Sequence, residues 1–216
     1  MTSSRPCSAS SGSSTRCSSF APSGRYSRLV EQQTRASHWR IELGEAGERA
    51  VADQLVSRGW SVTDLNAGTI EPNVDLIGER SGRTIKLQVK TYNDYRWISG
   101  GGVNPGVCAG TVPLFNRVED ATHRCTHVVC VTPASPGDRK VIRGDWRHFV
   151  MPVGEAERLF RINVESYFNQ LKSDGTPRAK SGAVQDFVGP GTLNSKVVLD
   201  RHQDYAPYED AWDRLG

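Results

Sequence analysis

Four residues in the first half of the chain carry groups that could act together on a phosphodiester. They are Glu48, Asp75, Gln88 and Lys90. Carboxylate, amide and carbonyl oxygens are the ligands that Mg²⁺ prefers, and a water bound to such an ion becomes a nucleophile because its pKa falls. A lysine nearby can orient that water or neutralise the charge that builds on the phosphorus centre. The residue types therefore predict metal-dependent hydrolysis of a phosphodiester.

The first of these acids is predicted to lie on a helix over residues 37–59. Apolar residues recur along it three and four positions apart, as on a buried helix face: Ile41, Val51, Ala52, Leu55 and Val56. Glu48 falls in the middle of that stripe, and Glu45 lies at its margin. A carboxylate on a packed face is costly unless it meets a proton, a cation or a metal. We therefore expect Glu48 to serve a site, with Glu45 as the alternative helix acid.

The remaining site residues are predicted to lie on a β-hairpin. Two runs, 74–79 and 84–91, flank the dipeptide Ser81-Gly82, which is typical of a turn. In the second strand alternate residues share a face, which separates Ile85, Leu87 and Val89 from Lys86, Gln88 and Lys90. Pairing about the turn places Asp75 beside Gln88. We expect the helix to cover this sheet and to bring Glu48 to the same place.

These motifs resemble the PD-(D/E)XK nuclease superfamily. The resemblance rests on a Gly-x-x-Gly-Glu helix, an Asp that follows an Asn-Val pair, and a strand that ends in Gln-Val-Lys, and it covers roughly residues 40–92. Within the superfamily the chain is similar to archaeal Holliday-junction resolvases, Mrr-type restriction enzymes and group I intron homing endonucleases. The resemblance implies a restriction-endonuclease-like α/β fold with a mixed β-sheet core flanked by helices. It also implies a Mg²⁺- or Mn²⁺-dependent DNA endonuclease of homing, restriction or junction-resolving type.

The resemblance gives each site residue a role. Asp75 and Gln88 correspond to metal ligands, the Val89 carbonyl to a third ligand and Lys90 to the catalytic lysine, while Glu48 helps to hold metal or water. Position 88 departs from the commonest signature, which has Asp or Glu there. The branches named above include members with Gln at this position, but the change removes one negative charge and should weaken metal binding. The signature Pro is also displaced, because Pro72 is three residues before Asp75.

The chain is predicted to hold one folded domain, residues 37–216, behind a Ser- and Arg-rich segment, residues 1–36. This segment has almost no large apolar side chains with which to offset the entropy of ordering, so we expect it to be disordered. A flexible tail, an organelle transit peptide and an overlong gene start are alternative interpretations. Five Arg and Glu31 give the segment a charge of +4, and since the whole chain carries +3, about −1 remains for the domain. A DNA surface must therefore be a local patch, such as residues 139–147 or 172–180.

Five cysteines without a C-x-x-C pair favour free thiols in a reducing compartment, the cytoplasm. The group His123, Cys125, His127 and Cys130 offers zinc-type ligands. On an extended segment, however, the first three project to one face and Cys130 to the other, so a buried strand is the main expectation. No run approaches the roughly 18 apolar residues of a membrane span.

The rest of the domain is predicted to add strands and covering helices. The strands fall at 127–132 and 146–153, the helices at 154–160 and 163–172, and residues 173–196 read as an exposed loop. Residues 205–215 carry Tyr208, Trp212 and Leu215 at helical spacing, which predicts an amphipathic helix that docks on the core or on a second subunit. Because cutting both strands of a duplex often needs two active sites, we expect a homodimer.

Two other functions agree with the same sequence. One is a non-catalytic nucleic-acid-binding or regulatory protein that keeps the fold while its site has weakened at Gln88. The other is an interaction module structured by a metal on the His/Cys group. Loss of DNA cleavage on substitution of Asp75 or Lys90 would separate the enzyme from the first.

Overall fold

In the computed structural model, the described residues begin at Gly24. The structure describes residues 24–65, 73–92, 96–98, 122, 124–134, 145–177, 185–187 and 202–216. By its internal contacts the chain divides into two units, Met1–Ser37 and His38–Gly216. Residues 1–23 of the predicted disordered segment lie outside the described residues.

Helix α1 spans Gly24–Ser57 and so begins well before the predicted start at Ser37. Residues 25–43 contain neither Pro nor Gly and include many good helix formers, so no residue stops the helix there. Residues 24–36, which we expected to be disordered, are therefore helical. The C-terminus of the helix is capped at Gly59, two residues after Ser57, and Gly59 has a φ of 79°. The N–H groups of Gly59 and Trp60 donate to the carbonyls of Val56 and Leu55 at 2.9 and 3.1 Å, which is a Schellman cap.

The buried face of α1 differs from the predicted stripe. Leu43, Val51 and Leu55 are buried, whereas Ile41 and Val56 are 61% and 58% exposed. The residues that face the sheet lie four apart, so the stripe is rotated about the helix away from Ile41 and Val56. Glu48 is consequently half-buried at the margin of the packed face and not in its middle, and Glu45 is exposed.

Five strands form the main sheet in the order β1-β2-β3-β5-β6. They are β1 (Ser61–Asp64), β2 (Leu76–Arg80), β3 (Arg83–Thr91), β5 (His127–Pro133) and β6 (Trp146–Pro152). β3 and β5 are parallel and the other neighbours are antiparallel. Two short strands that the sequence did not predict, β4 (Arg96–Ile98) and β7 (Gln185–Phe187), pair with each other.

The β2–β3 hairpin turns at Ser81 and Gly82, as predicted. Both residues have positive φ, 50° and 77°, which matches the twist of the flanking strands in a two-residue turn. The alternation along β3 also follows the prediction, because Ile85, Leu87 and Val89 pack into one core cluster with Val51 and Leu55 of α1.

The opposite face of the sheet is covered by helix α2 (Val153–Asn169). Ala156, Phe160 and Val164 of this helix pack with Phe149 and Met151 of β6. α2 replaces the two helices predicted at 154–160 and 163–172, because no Pro or Gly interrupts residues 155–173. The prediction of an α/β fold with a mixed sheet flanked by helices is confirmed.

The C-terminal segment, residues 202–216, is not the amphipathic helix that we predicted. It consists of α3 (His202–Tyr205) and two 3₁₀ turns, Ala206–Tyr208 and Trp212–Leu215. Pro207 and the positive φ of Asp210, 47°, interrupt a continuous helix. The predicted docking side chains, Tyr208, Trp212 and Leu215, are nevertheless buried in the core of this unit.

This segment wraps around the outer edge of β6. Tyr208 joins the core cluster on the α2 face, while Trp212 and Leu215 join the cluster on the α1 face. Arg147 of β6 donates from Nε and Nη2 to the two carboxylate oxygens of Glu209 at 2.5 and 2.7 Å. Arg147 therefore holds the segment and is not an open member of the basic patch predicted at 139–147, of which residues 139–144 lie outside the described residues.

The His/Cys group does not have the predicted arrangement. Cys125 and Cys130 are free, buried thiols in the cluster on the α2 face. His127 is paired with Leu87 in the β3–β5 ladder, and the Leu87 side chain belongs to the α1 face. His123 lies outside the described residues. Across the described ranges, no three His, Cys, Asp or Glu side chains are grouped to hold a metal ion. None of the helices in this part of the chain is long and apolar enough to cross a membrane.

Candidate active site

Asp75 directly precedes β2, whose first paired residue is Leu76, opposite Leu87 of β3. The Asp75 N–H donates to the Leu87 carbonyl at 2.8 Å. The Val89 N–H donates to Asp75 Oδ2 at 2.6 Å. These two bonds fix both the backbone and the carboxylate of Asp75 against the last residues of β3. The hairpin thus brings Asp75 to the end of β3 that carries Gln88 and Val89.

Gln88 contributes a buried oxygen at the same place. The residue is 7% exposed, and its Oε1 has no hydrogen-bond partner in the part of the chain that the structure describes. A buried carbonyl without a partner costs about 1–3 kcal/mol. Gln88 Oε1 is therefore a buried oxygen that could bind a cation, on the residue that precedes Val89, whose N–H holds the Asp75 carboxylate.

The Val89 carbonyl points towards the same corner. In an antiparallel ladder the N–H and C=O of one residue face the same neighbouring strand, and the Val89 N–H faces Asp75. Asp75, Gln88 and Val89 thus offer a carboxylate, an amide carbonyl and a backbone carbonyl. This all-oxygen set suits Mg²⁺ or Mn²⁺ and does not suit zinc, which prefers nitrogen and sulfur.

Lys90 lies on the same face of β3 as Gln88 and is half-buried. Among the described residues its ammonium makes no hydrogen bond or ion pair. Burial raises the pKa of Asp75 and of Cys125, and the charge of the Lys90 ammonium opposes this increase in both. The ammonium therefore lies within electrostatic reach of both groups. This ammonium is therefore positioned to act on an anion that approaches Asp75.

Burial is the largest influence on the Asp75 carboxyl and raises its pKa above 3.8. The Val89 N–H and the Lys90 ammonium act in the opposite direction, and the nearby Asp64 carboxylate adds to the increase. The Val89 N–H and the Lys90 ammonium thus do not fully offset the effect of burial on the ionised Asp75 carboxylate, and a bound cation would favour this ionised form. Burial also raises the pKa of the neighbouring Cys125 thiol to about 12, so Cys125 is a neutral neighbour and not a nucleophile.

Glu48 reaches the same end of the sheet from the other side. The preceding residue, Gly47, lies so close to Thr91 that a Cβ at position 47 would collide with the Thr91 side chain. α1 therefore crosses β3 one residue beyond Lys90. However, α1 covers the face that carries Val89, whereas Gln88 and Lys90 point to the α2 face. The structure thus brings Asp75, Gln88, Val89 and Lys90 together and places Glu48 across the end of the strand.

Sequence reasoning missed two acidic residues near this corner, Asp64 and Glu157, whose charges act on Asp75 and on Cys125 respectively. Asp64 is the last residue of β1, a strand that was not predicted. The charge of its carboxylate adds to the increase in the pKa of Asp75 that burial causes. Glu157 and Arg161 of α2 form an ion pair with an Oε2–Nη2 distance of 3.9 Å. Their spacing of four residues was a signal for a helical ion pair, but nothing in it indicated which side of the sheet the helix covers.

The fold and the site define an α/β protein with a mixed sheet and an oxygen-rich corner beside a lysine. Neither a protein-family model nor a curated protein matches the chain. Among solved structures, the chain is similar to a bacterial homing endonuclease, I-Ssp6803I. The identity is 14% and the TM-score 0.41, and the match covers 80% of this chain and 90% of that chain.

Substituting Gln88→Glu should tighten metal binding, because it restores a negative ligand at a buried oxygen that has no partner. We expect about tenfold tighter Mg²⁺ binding, or 1.4 kcal/mol. The metal-free variant should be less stable than the wild type, since two carboxylates would then share the corner. Calorimetric titration with Mg²⁺, together with thermal unfolding with and without the ion, measures both effects. Equal Mg²⁺ affinity in the two proteins would show that Gln88 is not a ligand.

Proposed function

We propose that the protein is a metal-dependent DNA endonuclease that uses Mg²⁺ or Mn²⁺. One observation carries this proposal: the Asp75 carboxylate is fixed by the Val89 N–H beside the buried Gln88 oxygen, which has no partner among the described residues. The half-buried Lys90 ammonium next to this corner supports the same reaction. DNA as the substrate rests on the sequence resemblance to PD-(D/E)XK nucleases, as do the homing, restriction or junction-resolving types of activity.

Each residue of the site has a role in this proposal. Asp75, Gln88 and the Val89 carbonyl hold the cation, which when bound lowers the pKa of a water molecule and polarises the phosphate. Lys90 orients the attacking water or neutralises charge on the phosphate as the bond breaks. Glu48 helps to hold water from its place at the end of β3. A homodimer, with one site for each strand of a duplex, stays a prediction.

The function is tested with the full chain, using supercoiled plasmid and a branched-junction DNA in Mg²⁺, in Mn²⁺ and in EDTA. We expect cutting in either metal and none in EDTA. Lys90→Ala should reduce the rate by about 10²–10³-fold, as the loss of one preorganised charged group does in other enzymes.

Lys86→Ala is the matched control for Lys90→Ala. Lys86 lies on the same face of the same strand, but its Nζ donates to the Thr122 carbonyl, away from Asp75. Cleavage by this variant should stay close to that of the wild type. Cutting that persists in EDTA, or that Lys90→Ala leaves unchanged, would contradict the proposal.

One observation favours a non-catalytic nucleic-acid-binding protein as the second candidate. Gln88 supplies no charge, and the carboxylate that the structure shows hydrogen-bonded to the Gln88–Lys90 segment is that of Asp75, through the Val89 N–H. A wild-type protein that binds DNA with the same affinity in Mg²⁺ and EDTA, and that cuts neither substrate, would establish this alternative.

A further inference from the structure

The C-terminal segment lies over a buried histidine of β6. His148 is 4% exposed, and Val150, which shares its face of β6, belongs to the core cluster on the α1 face. The His148 carbonyl accepts a hydrogen bond of 2.7 Å from the Asp210 N–H. The His148 ring packs against the indole of Trp212, with 5.2 Å between the ring centroids and 57° between the planes. The segment therefore covers this histidine and is also bonded to it.

The two ring nitrogens of His148 are poorly satisfied. Nδ1 lies 3.5 Å from Asp210 Oδ1, which is long for a hydrogen bond, and the Asp210 side chain is 62% exposed. Nε2 is buried without a partner among the described residues, as is Nε1 of the Trp212 indole. A neutral imidazole has one N–H donor to satisfy, whereas an imidazolium has two. Protonation of His148 would therefore bury an N–H that has no acceptor in the described part of the chain.

Burial is the largest influence on the pKa of His148 and lowers it below 6.5. The charge of Arg58 acts in the same direction, since its guanidinium carbon lies 4.8 Å from the centroid of the Trp212 ring. The charge and hydrogen bond of Asp210 act in the opposite direction, but water screens a carboxylate that is largely exposed. From β5, His148 is paired with the buried and apolar Val131. The closed segment thus resists a proton that the same side chain would take up in water.

The two halves of the C-terminal segment are anchored on different faces of the sheet. Tyr205 and Tyr208 are buried in the cluster on the α2 face. Trp212 and Leu215 are buried in the cluster on the α1 face, where Trp212 contacts His148. A change at His148 therefore acts on the second half and leaves the anchors of the first half in place.

We propose that residues 210–216 form an acid-released strap, which detaches from the α1 face when His148 is protonated while residues 202–208 stay anchored on the α2 face. Detachment removes Trp212 and Asp210 from the imidazole, so that both ring nitrogens reach water. This conformational switch is independent of the proposed nuclease activity.

The test is hydrogen exchange of the full chain, measured by mass spectrometry from about pH 8 to about pH 5, the range in which imidazoles titrate. Exchange rates are corrected for the intrinsic effect of pH on amide exchange. The open state takes up its proton at the ordinary pKa of 6.5. The opening of residues 210–216 should therefore be constant above that pH and increase by up to about tenfold per pH unit below it. Residues 202–208 should keep their protection.

Two substitutions separate the histidine from other effects of acid. His148→Phe keeps an aromatic ring against Trp212 but takes up no proton, so residues 210–216 should stay closed in acid. Asp210→Asn removes the carboxylate that favours the proton in the closed state, so it should open more than the wild type in acid and equally above pH 6.5. Asn suits this position because it tolerates the positive φ of 47°.

Two other histidines serve as controls. His38 has a side chain that is 73% exposed, so His38→Gln should match the wild type. His127 is hydrogen-bonded to the backbone of Arg214 and lies opposite Pro152, four residues along β6 from His148. His127→Phe should therefore keep the acid response of the Asp210 amide.

A folded His148→Phe variant that opens in acid as the wild type does would overturn the proposal, as would loss of the response in His127→Phe. Thermal unfolding shows whether each variant is folded. If His148→Phe does not fold, the surface variant Asp210→Asn decides, and opening in acid no greater than that of the wild type would overturn the proposal.

Discussion

Asp75→Asn should abolish metal-dependent DNA cleavage and at the same time stabilise the metal-free protein. The loss of activity follows because the substitution removes the charged oxygen ligand of the proposed cation. A bound metal ion contributes several kcal/mol of transition-state stabilisation, so the rate should fall by about 10³-fold or more. The Asn side chain can still accept the hydrogen bond from the Val89 N–H, so the hairpin should keep its geometry.

The gain in stability has a pH dependence that identifies its origin. Burial raises the pKa of Asp75 above its ordinary value of 3.8, so the folded chain binds this proton more tightly than the unfolded chain. The wild type therefore loses stability as pH rises from below 3.8 through the raised pKa. Asp75→Asn does not titrate. Its melting temperature should exceed that of the wild type by about 2–4 °C at neutral pH, and the difference should vanish in acid.

Asp64→Asn is the control for these effects, because Asp64 is exposed at the end of β1 and its charge acts on Asp75. This variant should retain cleavage. Wild-type cleavage by Asp75→Asn, or a gain in melting temperature that persists unchanged below pH 3.8, would contradict the role assigned to Asp75.

Gly47→Ala should destabilise the domain, whereas Gly44→Ala in the same helix should stabilise it. A Cβ at position 47 would overlap the Thr91 side chain, while a Cβ at position 44 would meet no atom within 4 Å. Overpacking of this kind costs about 1–3 kcal/mol. Replacing an exposed helical glycine by alanine contributes about 0.5–1 kcal/mol. Chemical denaturation measures both changes.

Gly47→Ala should also slow DNA cleavage, because it pushes α1 away from the end of β3 that carries Lys90. Adding Thr91→Ala should restore much of the stability, since it removes the two Thr91 atoms nearest to the added methyl. Thr91 Oγ1 has no hydrogen-bond partner among the described residues, so its removal breaks no such bond there. Equal stability of the Gly44 and Gly47 variants would show that the helix and strand do not need this close approach.

The hairpin was readable from the sequence because its determinants are local. Ser81-Gly82 fixes a two-residue turn and the turn fixes the register, in which Leu76 pairs with Leu87 and Asp75 comes to the end of β3 that carries Gln88 and Val89. The alternation of Ile85, Leu87 and Val89 with Gln88 and Lys90 follows from strand geometry alone. No contact with a distant part of the chain is needed for either conclusion.

What the sequence did not reveal depends on contacts between distant segments. The sequence placed the buried face of α1 at the wrong rotation about the helix axis, because exposed Ile41 and Val56 share the helical period of the buried residues. Only the close contact of Gly47 with Thr91 determines which face of the helix is buried. Glu48 was therefore placed in the middle of a packed face when it lies at the margin. In the same way, no local signal shows which face of the sheet α2 covers, so the sequence could not place Glu157 near Cys125.

The wrapped C-terminal segment has a consequence for how the chain folds during synthesis. The Arg80 guanidinium donates to the Gly216 carbonyl at 2.6 Å, a contact between residues 136 positions apart, and Glu209 pairs with Phe149 at the edge of β6. At about 5–20 residues per second, several seconds of translation separate the emergence of β6 from that of Gly216. Throughout that interval the outer edge of β6 is open to pairing with another chain. The nascent domain therefore depends on residues 202–216 to cover this edge of the sheet.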